Sequence, residues 1–173
     1  MTTFLLLVTF VVGVLVIYAE RQPDVFRIGR MRYIAATPEK IFAFMNSPRE
    51  AVRWSPFEKD PAIKRTFSGP ESGVGAKYTW AGNNKVGAGD IEIVESAPNS
   101  RIVLRLNMLR PFKASNEVVY ELEAVDGGTE VLWTMQGKQN IIGKVMNVFI
   151  NCEKMVGQDF ERGLASLKSL AEN

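Results

Sequence analysis

The 173-residue chain contains no histidine and a single cysteine, Cys152. Without histidine the commonest general base and the commonest metal ligand are both missing. Ser55 therefore has no partner for a nucleophilic triad. One cysteine can form no internal disulfide and is too few for a thiolate zinc site. At helical spacing from Phe149 and Val156, Cys152 reads as a small buried hydrophobe. An excess of charge of one sign is also lacking. The net charge is +2 and scattered among acids, which gives no basic surface for nucleic acid. The pairs Gly73/Gly75 and Gly87/Gly89 lack the third glycine of a dinucleotide fingerprint and the strand-to-helix setting it requires, so they read as turn glycines. No cofactor and no metal are expected.

Charge is missing altogether between Thr2 and Ala19, TTFLLLVTFVVGVLVIYA. A membrane-spanning helix needs about 20 mainly apolar residues, and Tyr18 stands where an interfacial aromatic belongs. The run is expected to be a single-pass transmembrane anchor over residues 1–19. The rival is a cleaved signal peptide and an exported domain, but no Lys or Arg precedes the run. Arg21, Arg27, Arg30 and Arg32 follow it, which places the rest of the chain on the cytoplasmic side.

Residues 20–25 read as a linker broken by Pro23. From Phe26 to Ile34 the pattern alternates, as in a strand. Thr37-Pro38-Glu39 is a helix start, with an N-cap, a proline in the first turn and an acid beside it. Asn46-Ser47-Pro48 ends that helix, and Arg49 to Trp54 read as a second short helix or a turn. From Ile63 to Gln136 six segments alternate with period two. Gly69 to Gly73, Gly82-Asn83-Asn84, Pro98-Asn99-Ser100, Arg110-Pro111 and Asp126-Gly127-Gly128 interrupt them. Short connections predict an antiparallel meander. Past Asn140 the period returns to 3.6. Val145, Phe149, Cys152, Val156, Phe160, Leu164, Leu167 and Ala171 share one stripe, predicting one amphipathic helix of seven or eight turns. The expected class is α+β. A curved seven-stranded antiparallel sheet grips a long C-terminal helix in a domain over residues 26–173, with an N-terminal transmembrane helix ahead of it.

The run Thr37-Pro38-Glu39-Lys40-Ile41-Phe42 resembles bacterial proteins of the START/Bet v 1-like, or SRPBCC, superfamily. So do Trp54-Ser55-Pro56-Phe57, Phe67 to Ala76, Trp133-Thr134-Met135 and Asp159 to Leu164. Within it they resemble the polyketide cyclase/dehydrase-type subgroup that carries an N-terminal membrane segment. The resemblance runs from about residue 25 to the C-terminus. It implies the helix-grip fold, but not one activity, since lipid carriers and aromatase/cyclases share that fold.

A sheet that grips one helix leaves a gap near its rim, the natural place for a ligand. The candidate lining is Trp54, Phe57, Arg65, Tyr78, Trp80, Leu104, Leu106, Tyr120, Trp133, Met135 and Phe149. The aromatics combine an apolar body with a polar handle. Met108, Met135, Met146 and Met155 offer an adaptable wall. Arg65 shares parity with Ile63 and Phe67. Two readings stand for it, an inward charge facing a ligand carboxylate or a side chain snorkelling to the rim. The expected function is binding of a lipid-like or other hydrophobic small molecule beside the membrane. The alternatives are a cyclase/dehydratase on an aromatic or polyketide-like substrate, or a non-catalytic interaction domain.

Overall fold

The computed structural model describes residues 1–84, 86–139, 143–145 and 151–173, without the side chains at 2–3, 5–8, 11–12 and 15. Helix α1 (Thr2–Glu20) precedes strand β1 (Val25–Ile34), and short helices α2 (Pro38–Met45) and α3 (Pro48–Ala51) follow. Six strands come next: β2 (Lys64–Ser68), β3 (Lys77–Ala81), β4 (Ala88–Ala97), β5 (Arg101–Arg110), β6 (Ala114–Val125) and β7 (Gly128–Lys138). Helix α4 (Cys152–Ala171) ends the chain. Among the described residues no helix is long and apolar enough to cross a membrane.

The seven strands form one sheet in the order β1-β7-β6-β5-β4-β3-β2, every neighbour antiparallel. The meander expected from period two is therefore present, and β1 closes it by pairing with the last strand. Register shifts between Ala88 and Gly89 and between Ile93 and Glu95 bend β4, because an extra residue on one strand kinks it and tightens its twist. Inward positions hold Ile28, Ile34, Ile93, Ile102, Leu104, Val118, Tyr120, Leu122, Val131 and Trp133, all buried, while Glu117, Glu121 and Glu123 are exposed.

Thr37 caps α2 as expected, accepting from the Lys40 amide, with Pro38 in the first turn. The C-terminal helix is shorter than periodicity predicts. Asn151 lies off the helical backbone (φ −71°, ψ 81°) and its side chain accepts the Lys154 amide at 2.9 Å, so α4 begins at Cys152. A helix whose first amides are satisfied by a side-chain cap has its end defined there. Phe149 and Met146, placed on this stripe by the spacing, lie outside the described residues. Cys152 is half-buried.

Helix α4 lies across the concave face, held by buried Phe160, Leu164, Leu167 and Ala171. Two glycines let it come close. A Cβ on Gly163 would lie 2.7 Å from the Trp133 ring and 2.9 Å from Pro56. A Cβ on Gly157 would lie 2.1 Å from the Arg30 guanidinium, which crosses that notch to reach Glu153 at 2.9 Å and Glu161 at 2.8 Å. At the far end Glu172 accepts the Ala35 amide at 2.7 Å, tying α4 to the chain that follows β1.

Candidate functional site

Between the sheet and α4 is an open cavity of about 560 Å³. Its floor is the concave face of the sheet, with Ile91 and Ile93 from β4, Leu104, Leu106 and Met108 from β5, Val118 and Tyr120 from β6, and Trp133 and Met135 from β7. These residues share a face because each stands at alternate positions of its strand. The exposed lining residues Phe57, Lys59, Met155, Gln158 and Arg162 mark the mouth, between the loop after α3 and the N-terminal half of α4.

One aromatic cluster anchors the wall nearest the helix. Trp133 stacks on Phe160 with centroids 4.1 Å apart and planes at 12°. Trp54 meets Trp133 edge-on at 5.5 Å, as Tyr120 does, and Phe57 approaches at 6.3 Å. Edge-on and stacked pairs of this kind stabilise by ~0.5–1.5 kcal/mol each beyond the area they bury. A second stack, Phe67 on Tyr78 on Trp80, stands at the β2–β3 end, with centroids at 5.2 and 5.8 Å, and Tyr78 and Trp80 face the cavity. Gly89 faces Trp80 in register, and a Cβ there would lie 2.7 Å from the indole. The glycine is what gives Trp80 room on the sheet.

Charged side chains reach the cavity at two places, beside the uncharged polar Ser55, Asn116 and Gln158. On one side Glu58 accepts the Tyr78 hydroxyl at 2.7 Å and Arg65 Nε at 2.8 Å. Burial first, and the Glu58 carboxylate second, push the Tyr78 phenol well above its ordinary value, so it stays protonated. On the other side Asp159, 7% exposed, takes Lys59 Nζ at 2.8 Å and also pairs with Arg162. Burial alone raises the Tyr120 phenol. Among the described residues no cluster of three His, Cys, Asp or Glu side chains is placed to hold a metal.

Nine of the eleven residues singled out in the sequence line this cavity: Trp54, Phe57, Tyr78, Trp80, Leu104, Leu106, Tyr120, Trp133 and Met135. Phe149 is outside the described residues. Arg65 is at the rim, exposed and paired with Glu58, and it is Glu58 that faces the cavity. Sequence reasoning missed Glu58, Lys59, Asp159 and Arg162. Glu58 and Lys59 sit in a loop with no period to read. Asp159 did carry a signal, an acid three residues after Val156 and beside Phe160 on the inner side of α4.

A family model described as polyketide cyclase / dehydrase and lipid transport matches residues 26–172. Among solved structures, protein CV1439 from Chromobacterium violaceum superposes with a TM-score of 0.63 at 15% identity, covering 88% of this chain and 99% of that one. The Aha1 dimer from Colwellia psychrerythraea gives 0.62 at 20% identity, covering 85% and 96%. The di-domain ARO/CYC StfQ from the steffimycin biosynthetic pathway gives 0.67 at 14% identity, covering 88% of this chain and 52% of that one. At such identities the likeness is one of fold. No curated protein matches the sequence.

Proposed function

The chain belongs to the polyketide cyclase/dehydrase and lipid-transport family, and from that premise we propose that it holds a lipid-like or other hydrophobic small molecule between its sheet and α4. The observation that carries this reading is the cavity of about 560 Å³ with its aliphatic and aromatic floor. That size lies within the ~300–1,000 Å³ of small-molecule sites. A guest burying ~300 Å² of apolar surface gains about 7.5 kcal/mol, from which the entropy of association takes back ~4 kcal/mol or more. A plain hydrocarbon would thus exchange readily, as a carrier requires. The test is native mass spectrometry of detergent-extracted full chain from several hosts. Co-extracted small molecules are the expected result, and empty protein from every host would sink the reading.

The same reading makes α1 a membrane anchor that keeps the cavity beside a lipid reservoir, with the domain on the cytoplasmic side. Its support is the uncharged stretch from Thr2 to Ala19 and the exposure of Phe4, Phe10, Val14, Ile17 and Tyr18. Alkaline carbonate extraction tests it: the full chain should stay with membranes, and a chain lacking residues 1–19 should be released.

A second reading, a cyclase-type enzyme, is favoured by Glu58, a carboxylate facing the cavity with a protonated phenol on one oxygen. Closing a ring on a poly-β-ketone chain needs a base for a proton next to a carbonyl, and Glu58 stands where such a base is needed, with the Tyr78 hydroxyl donating to one of its oxygens. Incubation with a poly-β-ketone thioester tests it. Cyclised product that disappears in Glu58→Gln, with guest binding retained, would move the protein into the enzyme class.

A further inference from the structure

Three turns of the sheet carry Gly, Asn, Asp or Ser, at Gly82-Asn83-Asn84, Asn99-Ser100 and Asp126-Gly127. Those residue types suit a tight turn in water. The β5–β6 turn departs from this. It reads Leu109-Arg110-Pro111-Phe112-Lys113, with Leu109 51% and Phe112 65% exposed. Arg110 and Lys113 are exposed too, and neither forms an ion pair among the described residues. The turn is nevertheless firmly backed. Arg110 faces Ala88 in register, and a Cβ on Gly87 (φ +72°) would lie 2.2 Å from the Arg110 carbonyl oxygen. A glycine there lets the β3–β4 hairpin support the turn at close range.

The register shows what surrounds it. β5 ends, β6 begins, β7 ends and β1 begins at one end of the sheet. Exposed Val25, Arg27 and Lys138 stand at that end. The cavity reaches towards it, since Met108, Asn116 and Met135 of its lining are two or three positions from the strand ends. The chain from α1 arrives there as well, where buried Lys144 donates to the Gln22 carbonyl at 2.9 Å and pairs with Asp24 at 2.5 Å. At the opposite end the charge is reversed: Glu123 faces Glu130 across β6 and β7, and Asp126 is in the turn between them.

We propose that the β5–β6 turn is a membrane-docking tip, whose Leu109 and Phe112 enter the interface of an anionic lipid surface while Arg110 and Lys113 engage its headgroups. Apolar and cationic side chains interleaved over five residues suit a bilayer boundary, where rings and aliphatic chains sink and charged heads stay at the level of the phosphates. A protein partner fits less well, because a stable protein interface takes ~20–30 residues a side. The lipid is anionic because unpaired cations gather at this end and acids at the other, a polarity that orients the domain on a negative surface. The proposal deepens the reading of a cavity fed from a lipid reservoir and rests on it, and it adds a contact distinct from α1.

The test uses the full chain with Cys152→Ser and one new cysteine, Ala114→Cys beside the tip or Asp126→Cys at the far end, labelled with the polarity-sensitive fluorophore NBD. Each is reconstituted into vesicles of phosphatidylcholine alone or mixed with phosphatidylserine. With phosphatidylserine the label at position 114 should shift to the blue and be quenched by doxyl-labelled lipid, and the label at position 126 should not. Leu109→Ser with Phe112→Ser should abolish the quenching. Arg110→Gln and Lys113→Gln should each lower the ratio of docked to free tip about fivefold. Melting temperatures should be unchanged in all four, since these side chains are exposed. Water-like emission at position 114 in chains that float with the vesicles overturns the tip and leaves the anchor standing. Equal quenching at the two positions, or equal quenching with and without phosphatidylserine, also overturns it. A chain that does not float at all removes anchor and tip together. Sedimentation in detergent supplies the last check: a dimer that is lost in Phe112→Ser would assign this patch to a second copy and overturn the proposal.

Discussion

Trp133 shows what one side chain does here. It stacks on Phe160, meets Trp54 and Tyr120 edge-on, and limits how near α4 can come at Gly163. The two helix glycines should therefore respond differently to alanine. In either case the helix gains ~1 kcal/mol of propensity. At Gly163 the new methyl meets a packed indole and Pro56, and overpacking of that kind costs ~1–3 kcal/mol. At Gly157 it displaces only the Arg30 guanidinium from two exposed carboxylates, ion pairs that are worth ~0–1 kcal/mol in water. Thermal melting should show Gly163→Ala lowered and Gly157→Ala nearly unchanged. The buried phenols add a pH signature. The folded values of Tyr78 and Tyr120 are raised, so the folded chain holds these protons more firmly than the unfolded one. The contribution is intact below the ordinary phenol value of ~10 and is lost as pH rises beyond it. Urea midpoints should be flat to about pH 9 and fall above ~10, less steeply in Tyr120→Phe than in the parent.

At the scale of the element, α4 begins where a side chain caps it. Asn151 accepts the Lys154 amide at 2.9 Å, and Glu153 adds an acid to the first turn. Asn151→Ala should cost about 1 kcal/mol in urea unfolding, and Asn151→Ser should recover most of it. The opposite end is held by Glu172, which takes both the Ala35 amide and Lys168. Lys168 first, and the Ala35 amide next, keep the Glu172 carboxyl below its ordinary value. This tie is therefore present above about pH 4.5 and is released as pH falls below it. Strand β7 needs no such device, because it pairs along its length with β1 on one side and β6 on the other.

For the whole molecule the cavity separates stability from binding. Leu106 lines the empty space, whereas Ile102, on the same strand and face, is fully buried in the core. Leu106→Phe should keep the melting temperature within a few degrees and reduce co-extracted ligand in native mass spectra. Ile102→Ala should lose ~2–5 kcal/mol of stability, because it opens a cavity where there was none. A bound guest should in turn raise stability by ~2.7 kcal/mol at a hundredfold excess over its dissociation constant, read as a concentration-dependent melting shift.

Periodicity determined most of the architecture. The alternation of Ile102, Leu104 and Leu106, and of Val118, Tyr120 and Leu122, specifies strands and their buried face, because a strand with one apolar side has a single way to hide it. Thr37-Pro38 marks a helix start for reasons local to the backbone, and that start is where it should be. The aromatic lining was legible for the same reason, since parity alone puts Tyr78, Tyr120 and Trp133 on one surface. What only the tertiary structure decided lies where no period operates. The loop after α3 has no repeat, so nothing local says that Glu58 turns to the cavity and draws Arg65 to the rim. The start of α4 was hidden because an apolar stripe continues unbroken through a capping asparagine. That the Trp133 indole N–H is enclosed without a partner among the described residues, while Trp54, Tyr78 and Trp80 have them, depends on which backbone carbonyls and carboxylates the fold brings within 3.5 Å, a property of three-dimensional distance that no spacing along the chain encodes.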